Sequence, residues 1–319
     1  MEKSKFMNNN TLDFNKKNNA RPFLKWAGGK NQLLKDLEKQ LPEKIKKTKR
    51  IKHYVEPFIG GGAFFFYLKN YYEVENAFIS DINKEIIIGY ITIKKNHKEL
   101  IKHLEKIQKE YLAKSTDDRK EYYFKIRTDY NKMIPTFNYQ NYDDSWIIRA
   151  SQLIFLNKTC FNGLFRQNKK GEFNVPSGKY KNPKICDEVN IIAVNKALQN
   201  TEIKICDFAE TQKNVTAETL VYLDPPYRPL NNSSSFTSYS KEGFDDNDQI
   251  RLSKYYKDLD EIGADLILSN SDPKNQNPND DFFDNLYNKF NIQRVRATRM
   301  INSNAQKRGQ INEIIIANY

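Results

Sequence analysis

His53-Tyr54-Val55-Glu56-Pro57-Phe58-Ile59-Gly60-Gly61-Gly62 is the stretch on which the fold turns. Its first four residues read as a buried strand, the next six as a tight loop, and the apolar run 63–71 behind them as a helix. A second short strand, Ala77-Phe78-Ile79-Ser80-Asp81, follows and ends in an acid. Strand, glycine loop, helix and acid-ended strand make one half-unit of a doubly wound α/β sheet. Glycines let the backbone approach a ligand closely, and the helix behind them presents amide N–H groups. Asp81, about twenty residues past the loop, is placed to accept hydrogen bonds from ribose hydroxyls. Phe58, Gly60, Gly62 and Asp81 are therefore read as a site for a nucleoside-type cofactor. A nicotinamide dinucleotide is disfavoured, because Phe58-x-Gly60-x-Gly62 lacks the Gly-x-Gly-x-x-Gly spacing.

Upstream, Ala27-Gly28-Gly29-Lys30 reads as a turn opening a helix that runs to about residue 41, where Pro42 ends it. It is no phosphate loop: the Gly-x-x-x-x-Gly-Lys-Ser/Thr spacing is missing, which argues against ATP hydrolysis. Residues 1–19 are polar, Asn- and Lys-rich and without periodicity, and read as a mobile tail. Downstream of Asp81 the pattern is helical over 83–112, 117–133 and 145–157. The sheet pattern is thus interrupted for roughly a hundred residues, the mark of an inserted, mainly helical domain. Residues 159–183 are rich in Gly, Asn and aromatics, with a hairpin turn between short strands expected at Asn168-Lys169-Lys170-Gly171-Glu172. Strands resume at 202–207, 220–223 and 265–270, with the last expected at 293–296 and 313–316, and a polar loop at 228–244. The expected division is a tail over 1–19, a catalytic domain over 20–88 and 195–319, and an inserted recognition domain over 89–194.

The 52 Lys and Arg outnumber the 40 Asp and Glu, leaving a net charge of +12 across 319 residues. Such an excess favours a polyanionic partner, with solvated lysine faces as the plainer alternative. Cys160, Cys186 and Cys206, and His53, His97 and His103, show no Cys-x-x-Cys or His-x-x-x-His spacing. No metal site or disulfide framework is indicated, and reduced thiols in the cytoplasm are expected. No apolar stretch is long enough for a bilayer, and the polar N-terminus is not a secretory signal.

The chemistry points to Asp224-Pro225-Pro226-Tyr227, directly behind the apolar run Leu220-Val221-Tyr222-Leu223. Asp-Pro also starts turns and Pro-Pro stiffens loops, so the tetrapeptide alone leaves a structural role open. At a strand end, however, a carboxylate, two rigid prolines and an aromatic ring can hold an amino-bearing base in one plane. Lys30 fits a partner for a carboxylate such as that of a methionine moiety, and Trp26 offers a packing face. A surface charge and a core aromatic are the plain alternatives. Asp207, at its strand end, is either a contact for a cofactor's adenine or a helix cap.

Four blocks in this order resemble the DNA adenine-N6 methyltransferases of the GATC-methylating class, in the subgroup whose recognition domain precedes Asp-Pro-Pro-Tyr. They are Phe23-Leu24-Lys25-Trp26-Ala27-Gly28-Gly29-Lys30, Val55-Glu56-Pro57-Phe58-Ile59-Gly60-Gly61-Gly62, Asn162-Gly163-Leu164-Phe165-Arg166 with Gly171-Glu172-Phe173-Asn174-Val175-Pro176, and the tetrapeptide. The resemblance implies a Rossmann-like α/β fold with a mixed sheet, S-adenosylmethionine as cofactor, double-stranded DNA as substrate, and cofactor positions at Trp26, Lys30, Asp81 and Asp224. It also implies base contacts within GATC from Phe161, Asn162, Leu164, Arg166 and Pro176, with a restriction endonuclease as a functional partner that need not touch the chain. An arginine such as Arg166 suits guanine O6 and N7, Leu164 a thymine methyl or a wedge in the stack, and Lys169, Lys170 and Lys179 suit phosphates. Asn162-Gly163 also reads simply as a turn. Methylation at cytosine C5 is disfavoured, since enzymes of that kind use a cysteine that follows a proline and none of the three cysteines here does. N4-cytosine methylation, which needs the same acceptor geometry, and a DNA-binding regulator without catalysis stand as the rivals, and RNA as the less favoured substrate.

Overall fold

The computed structural model describes residues 19–26, 30–228, 244–298 and 310–319. Most of the expected tail, the turn Ala27-Gly28-Gly29 and nearly all of the expected loop 228–244 lie outside these residues.

Seven strands build one sheet: β1 (Arg50–Glu56), β2 (Glu73–Asp81), β3 (Thr201–Ile205), β4 (Thr219–Leu223), β5 (Asp265–Ser271), β6 (Asn291–Thr298) and β7 (Gln310–Ala317). Their order is β3-β2-β1-β4-β5-β7-β6, parallel from β3 to β5, with β7 antiparallel between β5 and β6. All five residues of β4 are buried, as a parallel strand covered on both faces requires. Residues alternate across the pleat into two cores. Tyr54, Leu220, Tyr222, Ile267 and Ile315 face one core, and Val55, Val221, Leu223, Leu268 and Ile316 the other. The strand order reverses between β1 and β4, which opens a crevice beyond their C-terminal ends, the usual ligand position in such sheets.

Helix α1 (Leu34–Lys39) follows a 3-10 turn at Lys30–Gln32, so the expected helix from 27 to 41 is two short pieces. Pro42 does more than end it: as N-cap it starts α2 (Glu43–Thr48), whose Lys-rich run shows no apolar period. Helix α3 (Ala63–Tyr71) covers the expected span. Between β2 and β3 come α4 (Lys84–Leu112, broken at Asn96), α5 (Thr116–Lys132), α6 (Ser145–Thr159) and α7 (Glu188–Ala197). The first core runs from the sheet into these helices through Ile86, Trp146, Phe155 and Ile191. Boundaries at 88/89 and 194/195 fall inside α4 and α7, so we propose that division as one of function rather than of packing. Helix α8 (Asp246–Ile262), started by a capping box on Asp245, and α9 (Phe282–Leu286) cover the second core.

The inserted helices are tied together by a buried ion pair. Arg149, with none of its surface exposed, donates Nε to Glu85 Oε2 at 2.8 Å and Nη2 to Oε1 at 2.6 Å. Its Nη1 donates to the Tyr130 carbonyl at 3.0 Å, and the Tyr130 and Tyr139 hydroxyls donate to the same carboxylate. Among the described residues no helix is long and apolar enough to cross a membrane.

Candidate functional site

Asp224 stands at the end of β4, beside the end of β1. Its Oδ1 accepts from Lys30 Nζ at 2.8 Å and from Ser269 Oγ, on β5, at 3.1 Å. Lys30 is nearly buried, while the Asp224 side chain keeps 22% of its surface open, which leaves the carboxylate reachable from the crevice. Burial raises the Asp224 carboxyl above its ordinary range, and the Lys30 ammonium pulls it back down. Lys30 also donates to the Tyr227 hydroxyl and lies 4.0 Å from the centre of that ring. The hydroxyl in turn donates to Glu313 Oε2, on β7, which is 4.0 Å from Lys30 Nζ. Behind the tetrapeptide, Arg228 is held by Asp246 at 2.7 Å and Asp280 at 2.8 Å, and the Pro226 carbonyl accepts from Gln249 at 3.2 Å.

The second half of the site is the glycine loop. Gly60 N–H donates to Asp81 Oδ2 at 3.0 Å, and Asn83 N–H to Oδ1 at 2.8 Å. Burial pushes the Asp81 carboxyl up to about 6, against those two hydrogen bonds. Gly60 and Gly62 both have positive φ, and a Cβ on Gly60 would stand 2.9 Å from Trp26 Nε1. A Cβ on Gly62 would collide with the Tyr90 hydroxyl, which donates to the Gly60 carbonyl. Glu56 closes the floor between the two halves: it is buried, bonded to the Tyr54 hydroxyl at 2.7 Å, and burial lifts its carboxyl far above the ordinary range.

Of the residues expected in the site, Lys30, Asp224 and Tyr227 meet directly, as do Trp26, Gly60 and Asp81. Phe58 packs on Phe208, 5.4 Å between ring centres. Asp207, open to two readings in the sequence, forms the cap: it accepts from Ala209 N–H in a capping box with Glu210. Arg251 also occupies both of its oxygens, at 2.7 and 3.0 Å, so any ligand would share the carboxylate. Ser269, Glu313 and Glu56 were not singled out from the sequence. Glu56 lies in the quoted block 55–62, and the signal for Ser269 and Glu313 is a polar residue inside a strand with apolar neighbours.

The block 161–179 forms the expected hairpin, but through two isolated bridges, Cys160 to Ser177 and Gln167 to Phe173, instead of strands. The register shifts between the two bridges because Phe161–Gly163 forms a 3-10 turn with Asn162 at positive φ. Tyr123 and Asn131 anchor its backbone at Val175 and Phe173. Phe161, Asn162, Arg166, Lys169, Lys170, Pro176 and Lys179 are exposed, and Leu164 is half-buried. Asn162 adopts a positive φ of 57°, the turn expected there. Arg166 Nε donates to the Asn174 side chain at 2.8 Å, which aims the guanidinium. Phe165, buried, packs 5.1 Å from Trp26 and so joins this block to the glycine loop.

Residues 26–301 match the family model described as D12 class N6 adenine-specific DNA methyltransferase. The chain is 50% identical over 301 residues to a type II methyltransferase, M.MjaIII, of Methanocaldococcus jannaschii, covering 94% of this chain and 99% of the relative. It is 41% identical to the type II methyltransferase M1.LlaDCHI of Lactococcus lactis subsp. cremoris, over 94% of this chain and 96% of the relative. It is 30% identical to a DNA adenine methylase of Escherichia coli, over 94% and 95%.

Proposed function

The chain belongs to the D12 class of N6 adenine-specific DNA methyltransferases, and from that premise we propose that it methylates adenine N6 at GATC in duplex DNA, using S-adenosylmethionine. Membership in an adenine-specific family removes the N4-cytosine and non-catalytic rivals. The observation that carries the mechanism is the partly open Asp224 carboxylate beside the Tyr227 ring at the crevice where the strand order reverses.

The cofactor fits the residues present. Asp81 offers a carboxylate at a strand end, where burial disfavours its charge unless donors such as ribose hydroxyls join it. Gly60 and Gly62 leave the backbone bare, Trp26 and Phe58 supply aromatic walls, and Lys30 supplies a cation for a carboxylate. Asp207 would share its carboxylate with Arg251. S-adenosylmethionine, when bound, supplies an electrophilic methyl group. Asp224 and the Pro225 carbonyl accept the two N6 hydrogens, which frees the nitrogen lone pair from the ring and orients it. Pro225 and Pro226 keep that carbonyl from turning away, and Tyr227 stacks on a base turned out of the duplex. Lys30 and Ser269 both hold Oδ1, so Oδ2 serves as the acceptor for the N6 hydrogen.

Site choice rests on the hairpin. Arg166, aimed by Asn174, suits guanine O6 and N7, and Phe161, Asn162, Pro176 and the half-buried Leu164 of the same block suit base edges and a wedge. Lys169, Lys170 and Lys179 suit phosphates, and the net charge of +12 implies binding that weakens steeply with salt. Two relatives carry type II names, which supports a restriction endonuclease as functional partner in the cytoplasm, without direct contact.

The test is methyl transfer from labelled S-adenosylmethionine to two short duplexes, one with GATC and one with that site scrambled. Label on the GATC duplex alone, recovered as N6-methyladenine, is expected. Label on both would discard the site, and label on neither would overturn the proposal.

A further inference from the structure

The Tyr227 hydroxyl is fixed from two sides: it accepts from Lys30 Nζ and donates to Glu313 Oε2. These two partners are held differently. Lys30 lies on the face of the ring, 4.0 Å from its centre, and against Asp224 Oδ1 at 2.8 Å. A base that stacks on Tyr227 from that side competes with the ammonium for the ring. Glu313 comes from the sheet itself, on β7, where it pairs with Ser271 of β5 and Val295 of β6. Both neighbours belong to a sheet held by continuous ladders, so Glu313 is fixed independently of Lys30.

We infer that Glu313 is a positioning residue for methyl transfer, holding the Tyr227 ring through its hydroxyl so that the stacking face keeps its angle when a base enters. The inference rests on the proposed function and deepens it. A tyrosine ring tethered only at Cβ swings about two torsions, and a buried hydroxyl that loses its acceptor seeks another. With Glu313 in place the hydroxyl has a charged acceptor, which makes this the stronger kind of hydrogen bond. Burial, together with the nearby Asp224 and Glu313 carboxylates, holds the Tyr227 hydroxyl protonated well above its usual range, so it remains a donor. A nearby base misplaced by a small rotation loses rate with little loss of binding, because positioning is felt in the transition state.

The experiment is a double-mutant cycle on the full chain with a GATC duplex, comparing Glu313→Leu, Tyr227→Phe and the pair. Glu313→Leu should lower kcat by about ten- to a hundredfold, the range of one charge-assisted hydrogen bond, with Kd for the duplex by anisotropy moving less than about twofold. Tyr227→Phe should lower kcat by a similar factor, and the double variant should fall no further. Glu313→Gln keeps an acceptor and should recover most of the loss. The thermal midpoint should drop in Glu313→Leu, which leaves the hydroxyl proton without its acceptor, and rise again when Tyr227→Phe is added. Losses that multiply in the double variant, or a Glu313→Leu enzyme as fast as wild type, would overturn the inference. Should Glu313→Leu not fold, Glu313→Asp, which withdraws the acceptor by one methylene, carries the same cycle. A wild-type chain that transfers no methyl group would count against the proposed function instead.

Discussion

Two buried ion pairs serve this molecule in opposite ways. In Glu85–Arg149 both carboxylate oxygens are taken by the guanidinium, the third guanidinium nitrogen has a backbone carbonyl, and two tyrosine hydroxyls fill the remaining acceptor positions. In Lys30–Asp224 a single ammonium touches one oxygen, a second carboxylate waits at 4.0 Å, and part of the acid remains open. The first pair is saturated and has nothing left to bind with. The second is underfilled, and its spare acceptor capacity is what an adenine amino group needs. Choice of cation follows the same division: a forked, bidentate guanidinium locks, whereas a point charge on a flexible stem can leave.

The sharpest way to break this contrast is Asp224→Ala. Transfer should fall by at least about a thousandfold, a loss of the size seen when a transition-state hydrogen-bond partner is removed. The fold should survive, because Lys30 keeps Glu313 and the Tyr227 hydroxyl as neighbours. Arg149→Met should do the reverse, costing about 3–5 kcal/mol of stability by leaving Glu85 buried without its counter-ion. Denaturant melts check it, with kcat of the folded fraction expected within about twofold of wild type. Replacing both partners, Arg149→Met with Glu85→Gln, should regain most of that stability.

Smaller effects test the surfaces around the pairs. Arg166→Ala should cost about 1–3 kcal/mol of discrimination at one base pair, read from kcat/KM on duplexes altered one position at a time. Unchanged preference would move base reading off the hairpin. Proton linkage at Asp81 gives the mildest effect. Its carboxyl titrates near 6 in the folded chain against an ordinary 3.8, so the folded state binds the extra proton between those values. That penalty on the charged form is fully present above about 6 and disappears below the unfolded value. A cofactor whose hydroxyls donate to Asp81 favours the ionised carboxylate, so binding should release a proton at low pH. Affinity for S-adenosylmethionine should weaken by about tenfold between pH 7 and pH 5, one pH unit below the folded value. Calorimetry in buffers of different ionisation enthalpy would detect the proton, and a pH-independent Kd would remove Asp81 from the contact.

Much of this architecture is legible in the sequence because it lies in local pattern. Val55 to the glycine loop, the α3 span and the acid at Asp81 are each fixed by neighbours within a few residues, and the helix and strand periods there are clear. Helices α2 and α8 escape because their charged residues hide the apolar period, and the hairpin's isolated bridges escape because a 3-10 turn at Phe161–Gly163 shifts the register between them. The site was half legible. Lys30, Asp81, Asp224 and Tyr227 sit in recognisable blocks, but their partners Ser269 and Glu313 come from strands far along the chain. Which lone acid in an isoleucine run reaches a tyrosine depends on the register of β7 against β5, and no local pattern carries that. Arg149 likewise looks like one polar residue in an apolar helix until Glu85 is seen against it.

The most direct test of the contrast puts Asp224→Ala and Arg149→Met side by side, measuring thermal midpoint and methyl transfer to a GATC duplex on the same preparations. We predict that Asp224→Ala melts close to wild type and transfers nothing measurable, while Arg149→Met melts far lower and, below its melting range, turns over normally. An Asp224→Ala chain that still methylates, or an Arg149→Met chain that melts like wild type but is slow, would contradict the division of labour between the two pairs.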